Sequence, residues 1–333
     1  MNETTVSMMQ ARRDPALKAI VQKRVPLFYS QGADPAIDRP AHVRAGSSLS
    51  WFGDKLALVQ DDANFLVFID PESLTVEAIT LAAGEAGARQ FDDLRGNKRF
   101  KLDLEACTTV PTPDGDLFLA FGSGSMPQRE QILMVQASNP CNPQLMKQVS
   151  ALYAQLRACT PFSGSELNIE GAMFQNGQLR LFNRGNGKPN HNLLPVNATV
   201  DLDWDSFLAY LGAPEHHQPP GLQNICQYDL GNLHGLNLSF TDATVTQKGI
   251  IFSAAAEDSP DVTSDGRVTG SVLGILDANP RWIELCTPDG SLFTGKVEGI
   301  CAFRNEENRL WVVIDADDPT LPCELCEVEF VAT

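Results

Sequence analysis

Residues 168–184 read Asn-Ile-Glu-Gly-Ala-Met-Phe-Gln-Asn-Gly-Gln-Leu-Arg-Leu-Phe-Asn-Arg. An apolar run opened by an acid meets Asn176-Gly177, and a second apolar run returns to polar residues. Asn-Gly between two such runs is the strongest short-range hairpin signal. Variants of the phrase recur along the chain, with starts at Ser47, Glu105, Glu170, Asp242 and Glu298. Turns fall at Gly53-Asp54, Pro113-Asp114-Gly115, Asn176-Gly177, Lys248-Gly249 and Asn305 to Asn308. The first apolar residue after the turn lies nine residues from the start for Ser47 to Leu56, Glu170 to Leu179 and Asp242 to Ile251. Further strand-like runs follow each hairpin, among them Phe65 to Ile69, Gln131 to Gln136, Ser271 to Leu276 and Glu324 to Val331. Gln144 to Tyr153 reads as a strand or a short helix, and Asp203 to Leu211 as a helix.

A repeated four-stranded meander of this length predicts an all-β fold, a β-propeller of five four-stranded blades. The alternative is six blades, with an irregular one in residues 188–240. The fifth copy ends one strand short, and Val25 to Ser30 offers an unpaired strand that would close the ring and remove its open edge. The expected organisation is a lead-in over residues 1–24 and one propeller domain over residues 25–333.

The chain has 333 residues and a formal net charge of −17. That charge opposes binding to nucleic acid or to an anionic membrane surface. No stretch reaches the apolar length of a membrane-spanning helix, and Met1 to Ile20 has no apolar core of the secretory kind, so a cytoplasmic protein is expected. Eight cysteines are then expected as reduced thiols; Cys323 and Cys326, three apart on a strand, would point to opposite faces.

In a meander blade, the start of the first strand and the end of the second lie at one mouth. This brings Asp61, Glu105, Glu170, Asp242, Glu298 and Asp315 together as metal-ligand candidates, with Arg184 as the clearest positive charge and Lys101, Lys188 and Lys296 near it. Crowded carboxylates need a cation, an arginine or a proton to relieve repulsion. Oxygen ligands in this number suit a divalent metal, Ca²⁺ above all, or Mg²⁺ with several waters. The plainer reading is that the acids accept hydrogen bonds between neighbouring blades, with Arg184 as an internal partner of Glu170 or Glu105.

Leu104-Glu105-Ala106, Gly122-Ser123-Gly124-Ser125, Ile169-Glu170-Gly171-Ala172, Asn183-Arg184-Gly185-Asn186 and Val297-Glu298-Gly299-Ile300 resemble an uncharacterised bacterial family of soluble β-propellers. Those proteins are distantly similar to propellers described as having esterase-like phytase activity. The resemblance covers the chain from about Arg44 onward. It implies a metal-assisted phosphoester or ester hydrolase acting on a small anionic molecule at the acidic mouth. Glu170 and Glu105 would be the catalytic carboxylates and Arg184 the group that holds the anion. The alternative is a non-catalytic propeller that binds a small ligand or a protein there.

Overall fold

The computed structural model describes residues 6–146, 149–259, 262 and 266–332. Five meanders follow one another along the chain. The first contains Gly46–Phe52, Lys55–Gln60, Phe65–Ile69 and Val76–Thr80, paired antiparallel in that order. The second contains Leu104–Thr112, Gly115–Gly122, Ile132–Gln136 and Gln144–Met146. The third contains Ile169–Gln175, Gln178–Asn183, Asn197–Asp203 and Leu222–Asp229. The fourth contains Leu236–Thr246, Gly249–Asp258, Arg267–Leu276 and Arg281–Cys286. The fifth has Lys296–Ala302, Arg309–Asp315 and Glu324–Ala332, with Leu17–Pro26 as its outer strand. First strands pack side by side from the first unit round to the fifth, and the fifth packs back on the first. The architecture is mostly β and propeller-like.

Local sequence explains the elements. Asn176 and Gly177 both take positive φ (52° and 74°), which the two-residue hairpin demands and which these residues tolerate best. The helix Trp204–Gly212 starts where Asp203 accepts from the Ser206 amide, and it buries Trp204, Phe207, Tyr210 and Leu211 along one stripe. Strand Gln144–Met146 is short, and the chain forms the helix Ser150–Ala158 soon after it.

The N-terminal strand differs from expectation: it spans Leu17–Pro26, not Val25 to Ser30, and crosses the expected boundary at residue 24. Leu17, Ala19 and Val21 alternate inward against the fourth-to-fifth core, and Pro26, which cannot donate to a ladder, stands at the strand's end opposite Glu324. Upstream, Ser7–Gln10 pairs in parallel with the outer strand of the third unit and Arg12–Arg13 with that of the fourth.

The core is divided as the units are. One apolar cluster fills each junction between neighbouring units, from Phe52, Phe118 and Leu133 between the first and second to Leu49, Trp311 and Val313 between the fifth and first. At the third-to-fourth junction, Phe240 meets Phe182, Tyr228 and Phe252 edge-on, each with ring centroids at 5.4 Å. A fully buried phenylalanine or leucine contributes roughly 1.5–3 kcal/mol, so these clusters hold neighbouring units together. No helix among the described residues is long and apolar enough to cross a membrane.

Candidate functional site

Every first strand carries a register irregularity near its start. The extra residue is Ser47, Glu105, Glu170, Thr241 or Glu298 in turn. A bulged residue leaves the ladder and its side chain is re-aimed. Here Ser47 and the three glutamates face the mouth of the axis. The glycine after two of these glutamates has a steric reason: a Cβ on Gly299 would lie 2.8 Å from the Ser48 Cα, and one on Gly171 would lie 3.2 Å from the Phe182 Cβ.

The mouth opens into a cavity of about 320 Å³. Among the described residues, twelve aspartates and glutamates line it, against Lys98, Lys101, Arg184 and Lys296. Of the residues the sequence singled out, Asp61, Glu105, Glu170, Glu298, Asp315, Arg184, Lys101 and Lys296 are lining residues; Asp242 and Lys188 are not.

Asp242 stands one residue past the bulge, opposite Ser253. Its carboxylate is buried and accepts from the Ile300 amide at 2.9 Å, the Ala243 amide at 2.8 Å and the Ser48 hydroxyl at 3.1 Å. It ties the fourth unit to the first and fifth, and burial pushes its pKa well above the ordinary range.

The carboxylates on one flank of the cavity are Asp61, Asp103 and Glu105, whose ligand oxygens all lie within 4.8 Å of one another. The Lys101 ammonium bridges Asp61 and Asp103, at 2.6 Å from Asp103. Asp103 is also held by Arg129 at 2.9 Å and by the Ser123 hydroxyl. Burial pushes Asp103 up, but Lys101 and Arg129 outweigh it and its pKa falls below the usual value. Burial raises Glu105 well above its ordinary pKa, and Asp61, Asp103 and Glu170 add to the rise. Asp61 Oδ1 is buried without a hydrogen-bond partner. Asp315 is raised by burial and by Asp317. Behind this flank, Arg44 donates to Asp62 and, at 3.0 Å, to Asp92; burial and Asp61 nevertheless bring Asp62 to about 7.

The other flank is closed by internal pairs. Arg184 donates to Glu257 at 2.5 Å, to Glu170 at 3.4 Å and to the Ser239 hydroxyl at 3.1 Å. Lys296 reaches Glu298 at 2.8 Å, Asp317 at 3.1 Å and Glu257 at 3.6 Å. Burial alone would raise Glu257, but Arg184 and Lys296 overcome it and hold the acid at about 2. Glu170 accepts from Asn168 at 2.7 Å. Burial brings Glu170 to about 8, because Arg184's pull is opposed by Glu298 and Asp103.

Asp103 is the member of the Asp61–Asp103–Glu105 cluster that the expected set lacks. Asp103 precedes its strand at a positive φ of 58°, so strand alternation carries no signal for it.

Between residues 42 and 330 the chain matches the profile of a family of unknown function, DUF6929. The chain belongs to that family. No curated protein matches this DUF6929 member. Among solved structures it is similar to the glutaminyl cyclase of Myxococcus xanthus, at 11% identity and a TM-score of 0.45 over 98% of this chain and 100% of that one. The WD40 repeats of RRP9 are similar at 10% identity and a TM-score of 0.41, over 93% of this chain and 100% of that one. The pyranose dehydrogenase PQQ domain from Coprinopsis cinerea is similar at 10% identity and a TM-score of 0.37, over 98% and 100% respectively. The relationship to propellers is distant, and at these values the likeness carries neither a substrate nor a residue role.

Proposed function

We propose that this DUF6929 member is a five-bladed propeller, closed by Leu17–Pro26 against Glu324–Ala332, whose mouth binds a divalent cation and hydrolyses an ester or phosphoester. The observation that supports it most is the Asp61–Asp103–Glu105 cluster. Oxygens on opposite sides of a Ca²⁺ ion, each at about 2.4 Å, stand roughly 4.8 Å apart, so the cluster fits one coordination shell. Lys101 already stands between Asp61 and Asp103, so the ion shares or displaces that ammonium. Mg²⁺ with several waters is the competing ion.

A bound cation would polarise the substrate and lower the pKa of a water. Glu170, poised at about 8, has the proton affinity that acid–base catalysis near neutral pH needs. Arg184 takes a different role from the anion clamp that the sequence suggests. Its guanidinium is spent on Glu257, Glu170 and Ser239, so it positions Glu170, and an anionic substrate reaches the floor through the metal. The eight free cysteines favour a reducing compartment, the cytoplasm.

One observation favours a binding protein instead: among the described residues neither histidine nor cysteine lines the cavity. Assay of the full chain with p-nitrophenyl phosphate and p-nitrophenyl acetate, with and without Ca²⁺ or Mg²⁺, separates the two. Metal-dependent turnover abolished by Glu170→Gln is expected; turnover that is metal-independent and unchanged in the variant leaves the binding reading.

A further inference from the structure

Large apolar side chains are distributed unevenly over the surface. Nine are exposed among the described residues. Seven of these sit in connections on the mouth side: Phe28, Leu94, Phe100, Leu292, Leu321 and the adjacent pair Leu193 and Leu194. Met8 on the N-terminal strand and Leu208 on the helix Trp204–Gly212 are the other two. Leu94 is 84% exposed and stands at the cavity itself. Leu321 lies two residues from Pro319, another lining residue, whose carbonyl faces His42 Nε2 at 3.2 Å. These connections belong to several units and lie, by the strand order, at the end of the strands that carries the mouth; we call these residues the collar. Exposed apolar groups gathered on one face and centred on a polar depression mark a protein contact surface.

We infer that the mouth face is a docking surface for a basic polypeptide segment, in which leucine-class side chains rest on the collar and a lysine or arginine enters the acidic cavity. Charge complementarity selects this occupant. The cavity already clamps two ammonium groups and a guanidinium of its own between pairs of carboxylates, at Lys101, Lys296 and Arg184. Among the described lining residues, twelve carboxylates still face only four basic side chains. A second copy of this chain would set carboxylates against carboxylates, and an anionic lipid surface would be repelled. The inference does not rest on hydrolysis; a bound cation and the basic side chain would compete for the same acids.

The test uses the full chain and two synthetic peptides of equal length and charge, one alternating leucine with lysine, the other glycine with lysine. Fluorescence anisotropy in physiological salt should show the leucine peptide binding more tightly by on the order of tenfold. The double variant Leu94→Ser, Leu321→Ser should remove that advantage with an unchanged melting temperature, and Ca²⁺ should weaken both peptides. Equal binding of the two peptides, an unaffected double variant, or no binding at all overturns the inference. So does adsorption to phosphatidylcholine vesicles that the double variant loses, which assigns the collar to lipid. Dimerisation in sedimentation that the double variant loses assigns it to a second copy.

Discussion

The Arg184 flank and the Glu105 flank of the cavity are built from the same repeat, yet they distribute their cations differently. On the Arg184 side, Glu257 is held at about 2 by two cations, and Glu170 and Glu298 each have a guanidinium or ammonium within ion-pair distance, although burial still raises both. On the Glu105 side, Lys101 serves Asp61 and Asp103 and Arg129 serves Asp103, while Glu105 is driven toward the neutral form. The repeat therefore supplies a place for charge, and the residues drawn from neighbouring strands decide whether it is spent on holding units together or kept for a ligand. Excess carboxylate is costly unless compensated, so the Glu105 flank is where the proposed cation would stabilise the mouth.

The largest expected effect lies on the paired flank. Arg184→Met leaves Glu257 and Glu170 buried without their main partner, and thermal unfolding should show a loss of about 3–5 kcal/mol. A variant that melts like the parent would break the distinction between the flanks.

The pH dependence comes next and has two signs. Glu257, with a folded pKa of about 2 against 4.5, contributes stability that is present above its unfolded pKa and lost as pH falls from about 4.5 toward 2. Glu170 at about 8 and Asp62 at about 7 are raised, so the folded protein holds protons that the unfolded chain has released. Their contribution makes the metal-free protein lose stability as pH rises from about 4–5 to about 8. Melting temperatures in chelator should fall across that upper window, and Ca²⁺ should restore them most at its alkaline end. A flat profile between pH 5 and 8 would contradict the raised values.

The smallest effect belongs to the open flank. Glu105→Gln replaces a carboxyl that is already driven toward its neutral form and breaks no ion pair among the described residues, so its melting should stay within about 1 kcal/mol of the parent. A loss as large as that of Arg184→Met would show that Glu105 is structural.

Much of this organisation was legible in the sequence. The hairpin phrase located the five meanders, because a two-residue Asn-Gly turn and alternating apolar runs are local signals. The spacing of Cys323 and Cys326 placed them on opposite faces; one packs in the fifth-to-first junction and the other in the fourth-to-fifth. The fourth unit shows where the reading slips. Ile250 and Ile251 are both apolar, and counting back nine from Ile251 reaches Asp242, whereas counting from Ile250 reaches Thr241, the bulged residue. A one-residue slip in a strand moves a side chain to the other face, and Asp242 accordingly ties units together instead of facing the cavity. Asp103 escaped because it precedes the strand, at a positive φ of 58°. The pairing of Arg184 with Glu257, 73 residues apart, depends on the packing of the third unit on the fourth, which no local pattern encodes.

The most direct test is calorimetric titration of the full chain with Ca²⁺, beside Glu105→Gln. One ion per chain is predicted, bound with proton release near pH 7 because a raised carboxyl ionises on coordination. The variant should bind at least about tenfold more weakly. No binding of Ca²⁺ or Mg²⁺, or equal affinity in the variant, would contradict the assignment of the open flank to a cation.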